Sequence, residues 1–275
     1  MPDLLIHSMS EFSDIILDVL EASGSRHIVE IGAEYGGNSA MLADFAADQG
    51  GSLTSIDPAP KPEFVQWAAA HPQVRHLPST SLDALPTLEN VDAWVIDGDH
   101  NWYTVYNELR KIDALAKRDG KPLLAILHDI HWPSGRRDMY YAPETIPAPF
   151  RHAYSYEAGA IPSQSALIDG GFRGMGHFAW ALHEGGPRNG VLTAVEDFLE
   201  EEHRAGRELG FAEIPAVFGL GIIFALDADW SGRVAETVLP YHDNKLLRTL
   251  EQNRLQNYLR VIELQDAALQ QTLAA

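Results

Sequence analysis

Residues 27–39 have the sequence HIVEIGAEYGGNS, in which a short apolar strand is followed by a glycine-rich turn and the start of a helix. Further apolar strands are predicted at 53–57, 74–77, 92–99 and 122–129, and helical patterns lie between them. Strands that alternate with helices form a parallel sheet with helices on both faces. The sequence therefore predicts an α/β fold.

The chain is predicted to have five parts. They are an N-terminal helix in 1–24, a cofactor-binding core in 25–132, an insertion in 133–188, a helix with a strand pair in 189–232, and a C-terminal helix in 233–275. The insertion is rich in Pro, Gly, Tyr and Arg. A segment of this length inside a domain is typical of a lid over a binding site.

The segments after the insertion give two further expectations. The strand pair is expected within 214–227, around Gly219 and Gly221. The tail, 243–272, is predicted to be a mostly polar helix with a narrow apolar stripe. Such a helix either packs on its own domain or pairs with a second copy, and we expect a homodimer or a higher homo-oligomer.

The composition excludes several classes of function. With 20 Lys and Arg against 39 Asp and Glu, the chain of 275 residues has a formal net charge of −19. It repels polyanions, so we expect neither a nucleic acid nor a membrane as a partner. The chain has no cysteines, which excludes disulfides and thiolate chemistry. Since we find neither a signal peptide nor a run of about 20 apolar residues, we expect a cytoplasmic protein.

The glycine-rich turn indicates a cofactor site, because glycine lets the backbone approach a ligand closely at the start of a helix. Registered on Gly32, the G-x-G-x-x-G pattern of dinucleotide-binding folds would have Glu34 at its middle glycine. That carboxylate opposes a pyrophosphate and disfavours a nicotinamide cofactor. S-adenosylmethionine (SAM) has no phosphate, and Glu30 can balance its positive groups. Asp57, about 20 residues beyond the glycines, is placed to accept both hydroxyls of a ribose.

Acids and histidines follow two of the predicted strands. Asp97, Asp99 and His100 follow the fourth strand, and His128, Asp129 and His131 follow the fifth. Because parallel strands end at one edge of the sheet, where ligands of such folds bind, we expect these side chains to converge. Asp97, His128 and Asp129 can bind a divalent ion such as Mg²⁺ or Mn²⁺. His100 can take a proton from a substrate hydroxyl.

The first residues of the insertion are candidates for contact with the substrate, which we expect to be a small molecule. A pair of arginines in an acidic chain can clamp a phosphate or carboxylate of an anionic acceptor, or can form ion pairs with Asp138 or Glu144. Tyrosines can stack on a ring. The predicted substrate contacts are His131, Trp132, Arg136, Arg137, Tyr140 and Tyr141.

These motifs together resemble a known family. VEIGAEYGGNS (29–39), LTSID (53–57) and VIDGDHNWYTVYNEL (95–109) are similar to class I SAM-dependent methyltransferases, and within them to the macrocin and rhamnosyl O-methyltransferases. The resemblance covers residues 25–130 well and 189–227 more loosely. It implies a Rossmann-like, mostly parallel seven-stranded sheet with an antiparallel last strand, a long lid insertion and a C-terminal helix.

The resemblance also implies roles for individual residues. The implied cofactor contacts are Glu30, Gly32, Tyr35, Gly36, Asn38, Ser39, Asp57, Thr80, Ser81 and Asp97. In metal-dependent relatives, an acid after strand four and a consecutive pair after strand five bind the ion, here Asp97 and His128-Asp129. Relatives more often have Asp at position 128, so use of a metal stays open. The catalytic base of such enzymes falls near Asp99 or His100.

We therefore expect an O-methyltransferase that acts on a hydroxyl of a sugar, a nucleotide-sugar or a natural-product glycoside, with His100 as base and a divalent ion assisting. One alternative is a metal-independent N-methyltransferase of an amino sugar or amino acid. A second is a metal-dependent hydrolase or oxygenase that uses His128, Asp129 and His131. A third is a cofactor-binding module without activity that dimerises through its tail helix.

Overall fold

The structure, a computed structural model, describes residues 6–274, except for the side chains of 270 and 272–274. In chain order the strands are β1 His27–Ile31, β2 Ser52–Ile56, β3 Val74–Leu77, β4 Ala93–Ile96, β5 Leu124–His128, β6 Met139–Tyr140, β7 Tyr154–Ser155, β8 Gly159–Ile161, β9 Gln164–Ile168, β10 Ala179–Ala181, β11 Leu209–Ile214 and β12 Leu220–Ala225. The α-helices are α1 Ser13–Ser23, α2 Gly37–Asp48, α3 Pro62–Ala69, α4 Ser81–Ala84, α5 Trp102–Asp119, α6 Val191–Arg204, α7 Ser231–Val238 and α8 Lys245–Ala274. Short 3₁₀ helices lie at Met9–Phe12, Leu85–Thr87, Pro143–Thr145 and Ala148–Phe150.

Seven strands form the central sheet in the order β11-β12-β5-β4-β1-β2-β3. Strands β1 to β5 all run parallel to one another. The last strand, β12, is antiparallel to both β5 and β11. The predicted Rossmann-like α/β fold with a mostly parallel seven-stranded sheet and an antiparallel last strand is confirmed.

The register of the sheet aligns the residues that leave its carboxyl edge. Ile31 of β1 is opposite Ile56 of β2 and Ile96 of β4. The next residues, Gly32, Asp57 and Asp97, therefore leave the sheet at the same level. This alignment, which follows from parallel pairing, positions the candidate site.

Apolar burial explains why this register is stable. All residues of β4 and β5 are buried, as their nearly continuous apolar sequences predict. Each fully buried Leu or Ile contributes about 1.5–3 kcal/mol. A slip by one residue would exchange the two faces of a strand and lose its packing against the helices. Among these helices, α5 packs against α6, and α1 packs against α7.

The insertion has its own small elements. Strands β6, β10 and β7 form a three-stranded sheet, and β8 pairs with β9 in a two-stranded sheet. These five short strands lie in the segment in which the sequence showed no rhythm of strands and helices. β10 pairs with β6 and β7, which lie far from it in the sequence, and a local pattern does not reveal such pairs.

The strand pair at the end of the sheet begins earlier than predicted. β11 starts at Leu209, outside the expected range 214–227, and Gly221 lies inside β12 opposite Glu213. β11 lies at the edge of the sheet and is half-exposed, so its sequence lacks the apolar run of the inner strands. The tail helix, expected at 243–272, extends over 245–274. Among the described residues, no helix combines the length and apolarity that a membrane crossing requires.

Candidate active site

The turn between β1 and α2 requires glycine at two positions. Gly32 has φ +92°, and a Cβ there would lie 2.1 Å from the backbone oxygen of Asp97. Gly36, which caps α2, has φ +83°, and its Cβ would lie 2.8 Å from the Phe64 ring. Both positions combine a left-handed conformation with close contacts. The ends of β1 and β4 can approach each other closely only because residue 32 has no side chain.

Asp57 shapes this turn from the end of β2. Its Oδ2 atom accepts hydrogen bonds from the amides of Ala33 and Glu34, each at 2.9 Å. Its Oδ1 atom accepts one from the amide of Ala59 at 2.8 Å. A carboxylate has about four acceptor directions, so Oδ1 can accept a further donor such as a ribose hydroxyl. Besides its predicted role in binding a ribose, Asp57 stabilises the turn, which the sequence did not indicate.

Buried acceptors without a partner lie beside the turn. Glu30 is 1% exposed, and its Oε2 atom accepts from Ser39 Oγ at 2.5 Å and Ser55 Oγ at 2.6 Å. Its Oε1 atom and Oδ1 of Asn38 are buried and have no hydrogen-bond partner. Burial raises the pKa of Glu30 to about 7. Unpartnered buried acceptors are costly unless a ligand supplies donors, so these two atoms suit an ammonium or hydroxyl group.

The remaining predicted cofactor residues lie at exposed or capping positions. Tyr35 is 62% exposed, and Lys61 Nζ lies 5.4 Å from the centre of its ring. Thr80 is the N-cap of α4 and donates from Oγ1 to Asp83 Oδ2 at 2.8 Å. Ser81, the first residue of α4, is buried. All of them follow strand ends at the carboxyl edge, where a cofactor site was predicted.

Two acids and two histidines converge beyond β4 and β5. His100 Nε2 lies 2.8 Å from Asp129 Oδ2 and 3.4 Å from Asp97 Oδ1. His128 Nδ1 lies 3.3 Å from Asp97 Oδ1 and 3.2 Å from Asp129 Oδ2. The side chains of both histidines are buried. We call these four residues the rim cluster; the predicted convergence is present for them, whereas Asp99 and His131 have other partners.

The carboxylates of the rim cluster control the charge of its histidines. Burial alone would lower the pKa of His100, but Asp129 and Asp97 outweigh it and raise that pKa to about 10. The same two effects, again with the carboxylates dominant, raise the pKa of His128 well above its usual range. In return, the neighbouring histidines outweigh burial and lower the pKa of Asp129. Without another cation, the cluster therefore favours charged rings beside charged carboxylates.

The donor atoms of the rim cluster suit a divalent cation. Ligand atoms of Asp97, His100 and Asp129 all lie within 4.8 Å of one another. Both ring nitrogens of His100 are buried and lack a partner in hydrogen-bonding geometry. Carboxylate oxygens with one imidazole nitrogen form a donor set for Mg²⁺ or Mn²⁺. The predicted metal set had His128 in place of His100; Nδ1 of His128 also faces Asp97 and Asp129, while its Nε2 lies 2.9 Å from the carbonyl oxygen of Val217.

The carboxylate of Asp99, the other candidate for the base, is hydrogen-bonded to residues at the start of α5. Its Oδ2 atom accepts from Asn101 Nδ2 at 2.6 Å and from Thr104 Oγ1 at 2.9 Å. Its Oδ1 atom accepts from the amide of His100 at 3.2 Å. Burial raises the pKa of Asp99. These bonds make Asp99 a local support, and they leave His100 as the better placed base.

Neither arginine of the insertion contacts the rim cluster. Arg136 forms a bidentate pair with Glu196, with distances of 2.5 and 2.7 Å. Arg137 is fully buried and donates to the carbonyl oxygens of Ala181 at 2.7 Å and Ser165 at 2.6 Å. The structure corrects the predicted substrate clamp: both guanidinium groups are bound within the protein. The partners are also not the predicted Asp138 and Glu144.

Asp138 ties the insertion to the core, a role that the sequence did not reveal. This buried carboxylate accepts from the amides of Trp102 and Gly190 and from the hydroxyl of Tyr140, each at 2.7 Å. Because Trp102 begins α5, the negative charge also lies at the favourable end of that helix. Tyr140 is consequently buried and is not placed to stack on a substrate.

Tyr141 is the insertion residue that lies over the rim cluster. Its ring centre is 6.2 Å from that of His100, and its side chain is 53% exposed. Burial of the hydroxyl and the charges of Asp97 and Asp129 raise the pKa of Tyr141. From this position the ring of Tyr141 can contact a substrate that binds at the rim cluster.

His131 and Trp132 contact residues outside the rim cluster. His131 Nε2 lies 3.7 Å from Glu213 Oε2, and burial lowers the pKa of His131. The Trp132 ring packs beside Phe172 and Phe218, at ring-centre distances of 6.1 and 6.4 Å. Neither contacts the rim cluster, which disfavours a hydrolase site built from His128, Asp129 and His131.

Replacing the two arginines by alanine is expected to have very different effects. Arg137→Ala removes a fully buried side chain that donates to the carbonyl oxygens of Ala181 and Ser165, and it should lower the free energy of unfolding by about 2–4 kcal/mol. Arg136→Ala removes an exposed ion pair and should cost less than about 1 kcal/mol. Urea unfolding of both variants checks this order. Equal stabilities of the two variants would contradict these assignments.

Comparison with known proteins finds a family match over part of the chain. The sequence profile of the family described as "Methyltransferase domain" matches residues 29–130. This range begins in β1 and ends just beyond Asp129, so it contains the glycine turn and the whole rim cluster. No curated protein sequence matches the chain.

Several solved structures are similar to it. The O-methyltransferase from Bacillus cereus in complex with SAH has 16% identity and a TM-score of 0.47, with 81% of this chain and 84% of that chain covered. TomG from Streptomyces achromogenes, an O-methyltransferase of tomaymycin synthesis in complex with SAM, has 17% identity, a TM-score of 0.42 and coverage of 82% and 83%. SAH-bound methyltransferase PaMTH1 from Podospora anserina has 13% identity, a TM-score of 0.46 and coverage of 78% of each chain.

Likenesses of this size carry no argument about activity or substrate, whereas the family match covers the residues that build the site. The macrocin and rhamnosyl subgroup stays a prediction. Residues 29–130 of this chain match the methyltransferase-domain family.

Proposed function

We propose that this protein is a SAM-dependent O-methyltransferase that acts on a hydroxyl group of a small polar acceptor. The observation that carries the proposal is the juxtaposition of two features at one edge of the sheet. One is the glycine turn, and the other is His100 with its carboxylate partner Asp129 at 2.8 Å. The two are adjacent because Ile31 and Ile96, the last residues of β1 and β4, are paired.

The residues around the glycine turn fit SAM, which supplies a methyl group on a sulfonium when bound. The unpartnered Oε1 of Glu30 and Oδ1 of Asn38 suit its ammonium group. Asp57 Oδ1 can accept from the ribose, while the amides of Ala33 and Glu34 already donate to Oδ2 of the same side chain. Glu34 opposes a phosphate at the same place, which argues against a nicotinamide dinucleotide.

His100 is the proposed general base. Methyl transfer to a hydroxyl forms a carbon–oxygen bond, breaks the carbon–sulfur bond of the sulfonium, and releases the hydroxyl proton, which His100 takes up. Asp129 and Asp97 stabilise the imidazolium that results. The same carboxylates keep the pKa of His100 high, at about 10, so a neutral ring at pH 7 requires that their charge be offset. A divalent ion held by Asp97 and Asp129, with the ring of His100 left unbound, would offset it and also lower the pKa of a bound hydroxyl.

The insertion supplies the proposed acceptor site. Tyr141 lies above the rim cluster with an exposed ring, which can stack on a sugar or an aromatic acceptor. Arg136 and Arg137 are bound within the protein, so they do not provide charge for an anionic acceptor. These positions favour an uncharged hydroxyl acceptor, such as a sugar or a natural-product glycoside, over a nucleotide-sugar.

A methyl-transfer assay tests the proposal. The purified protein is incubated with isotope-labelled SAM and a panel of sugars, nucleotide-sugars, glycosides and amino sugars, with Mg²⁺, with Mn²⁺ or with EDTA. We expect transfer to a hydroxyl acceptor that rises with the metal ion. Transfer only to amines, unaffected by EDTA, would support the N-methyltransferase alternative and contradict our proposal.

Asp57→Ala is expected to weaken SAM binding at least tenfold, because the variant loses both the ribose acceptor and two bonds that shape the turn. Calorimetric titration with SAM measures the effect. Asp227→Ala is the control. Asp227 is exposed and follows the antiparallel strand β12, so it lies at the opposite edge of the sheet from Asp57. An affinity of Asp57→Ala equal to that of the control would remove Asp57 from the cofactor site.

A further inference from the structure

We infer that Glu251, on the C-terminal helix α8, is a positioning residue for the rim cluster. It acts through the loop of residues 216–219, which joins β11 to β12 and fixes the ring of His128. The effect of Glu251 on turnover rests on the proposed function.

The loop has an unfavourable backbone conformation. Val217 has φ 43° and Phe218 has φ 65°, and both precede Gly219 with φ 91°. Only glycine adopts this left-handed region freely, and a β-branched or bulky side chain is a strong exception there. A loop with two such residues in succession persists only where its surroundings fix it.

Glu251 provides that restraint. Its Oε2 atom accepts from the amide of Val217 at 3.0 Å, and its Oε1 atom accepts from the amide of Phe218 at 3.1 Å. Arg254, one turn along α8, donates to the same two oxygens at 2.6 and 2.7 Å. The Glu251 side chain is buried, so water does not replace these bonds easily.

The loop in turn fixes His128. The carbonyl oxygen of Val217 lies 2.9 Å from Nε2 of this ring. Since a carbonyl only accepts, Nε2 carries a proton, and Nδ1 faces Asp97 and Asp129. The amide of Val217 that Glu251 holds and the carbonyl that His128 contacts belong to one residue. A change in the backbone of Val217 therefore moves the acceptor of the ring proton.

The arrangement joins the end of the chain to the active site without contact between them. Val217 contacts both Glu251 and His128, and His128 in turn contacts both acids of the rim cluster. Loss of Glu251 should leave the glycine turn intact and should disturb the acids that surround His100. We therefore expect its loss to lower kcat far more than SAM affinity.

The experiment is nitrogen NMR of the full-length protein labelled with ¹⁵N-histidine, at fixed pH in EDTA. In the unchanged protein, His128 should show a protonated Nε2 that exchanges slowly with water; His128→Gln assigns its signals. In Glu251→Gln, one loop amide faces an NH₂ group, and exchange of the Nε2 proton should become at least tenfold faster. Turnover should fall about tenfold, with SAM affinity changed less than twofold.

Glu263→Gln is the matched control, because Glu263 lies exposed on the same helix and accepts from Arg260 Nη1 at 2.7 Å. It should leave the His128 signals and turnover unchanged. Glu251→Asp, which keeps the carboxylate on a shorter chain, should give an intermediate exchange rate and serves if Glu251→Gln does not fold.

Two results would overturn the inference. One is an unprotonated Nε2 of His128 in the unchanged protein. The other is an unchanged exchange rate in folded Glu251→Gln. Neither depends on methyl transfer, so a protein without that activity would refute the proposed function and leave this inference to the NMR result.

Discussion

His100→Ala is expected to lower the rate of methyl transfer by about 100-fold or more, since a positioned general base contributes about 10²–10⁴-fold. The affinity for SAM should change less than twofold, because the glycine turn and Asp57 are held by bonds that do not involve His100. Single-turnover rates and calorimetric titration measure the two quantities separately.

A matched histidine replacement separates this effect from a general one. His203 is exposed and pairs with Glu208 at 2.6 Å, so His203→Ala should retain full turnover. If His100→Ala lost turnover and SAM affinity to the same extent, His100 would be a binding residue, and the assignment as base would be wrong.

Gly32→Ala is expected to have the largest effect on stability. An added Cβ would lie 2.1 Å from the Asp97 oxygen and 2.6 Å from its carbonyl carbon, and φ is +92°. Since both neighbours are backbone atoms at the ends of paired strands, relief requires β1 and β4 to separate. We expect a loss of more than about 3 kcal/mol in the free energy of unfolding, together with loss of SAM binding.

Gly24 is the control for the conformational part of this cost. It caps α1 with φ +70°, and an added Cβ would meet nothing within 4 Å. Gly24→Ala should therefore cost only the left-handed conformation, about 1–2 kcal/mol. Denaturant unfolding of both variants gives the difference, and equal losses would show that the contact with Asp97 is unimportant.

The central sheet and the convergence of the rim cluster could be predicted because each depends on local patterns. Apolar strands between amphipathic helices define a parallel sheet, and parallel strands end at one edge. Asp57, Asp97 and Asp129 follow strand ends directly, so their placement follows from the topology alone. The glycine turn could be recognised because close backbone approach restricts the residue type.

The side-chain partners could not be predicted in the same way. Arg136 pairs with Glu196, which is 60 residues away, and Arg137 is held by carbonyl groups of the insertion. Carbonyl groups are present at every residue, so no sequence signal marks those that bind a guanidinium. His128 faces the acids with Nδ1, because its Nε2 contacts the carbonyl of Val217, whereas His100 faces them with Nε2. The conformation of Val217 is in turn set by Glu251 of α8, which lies outside the sheet.

The most direct test of the account is calorimetric titration of the purified, ligand-free protein with SAM, with NAD⁺ as comparison. We predict binding of one SAM per chain with a Kd in roughly the micromolar range, strengthened or unchanged by Mg²⁺, and no binding of NAD⁺. Absence of SAM binding by the folded protein, with and without Mg²⁺, would contradict the assignment of the glycine turn as its cofactor site.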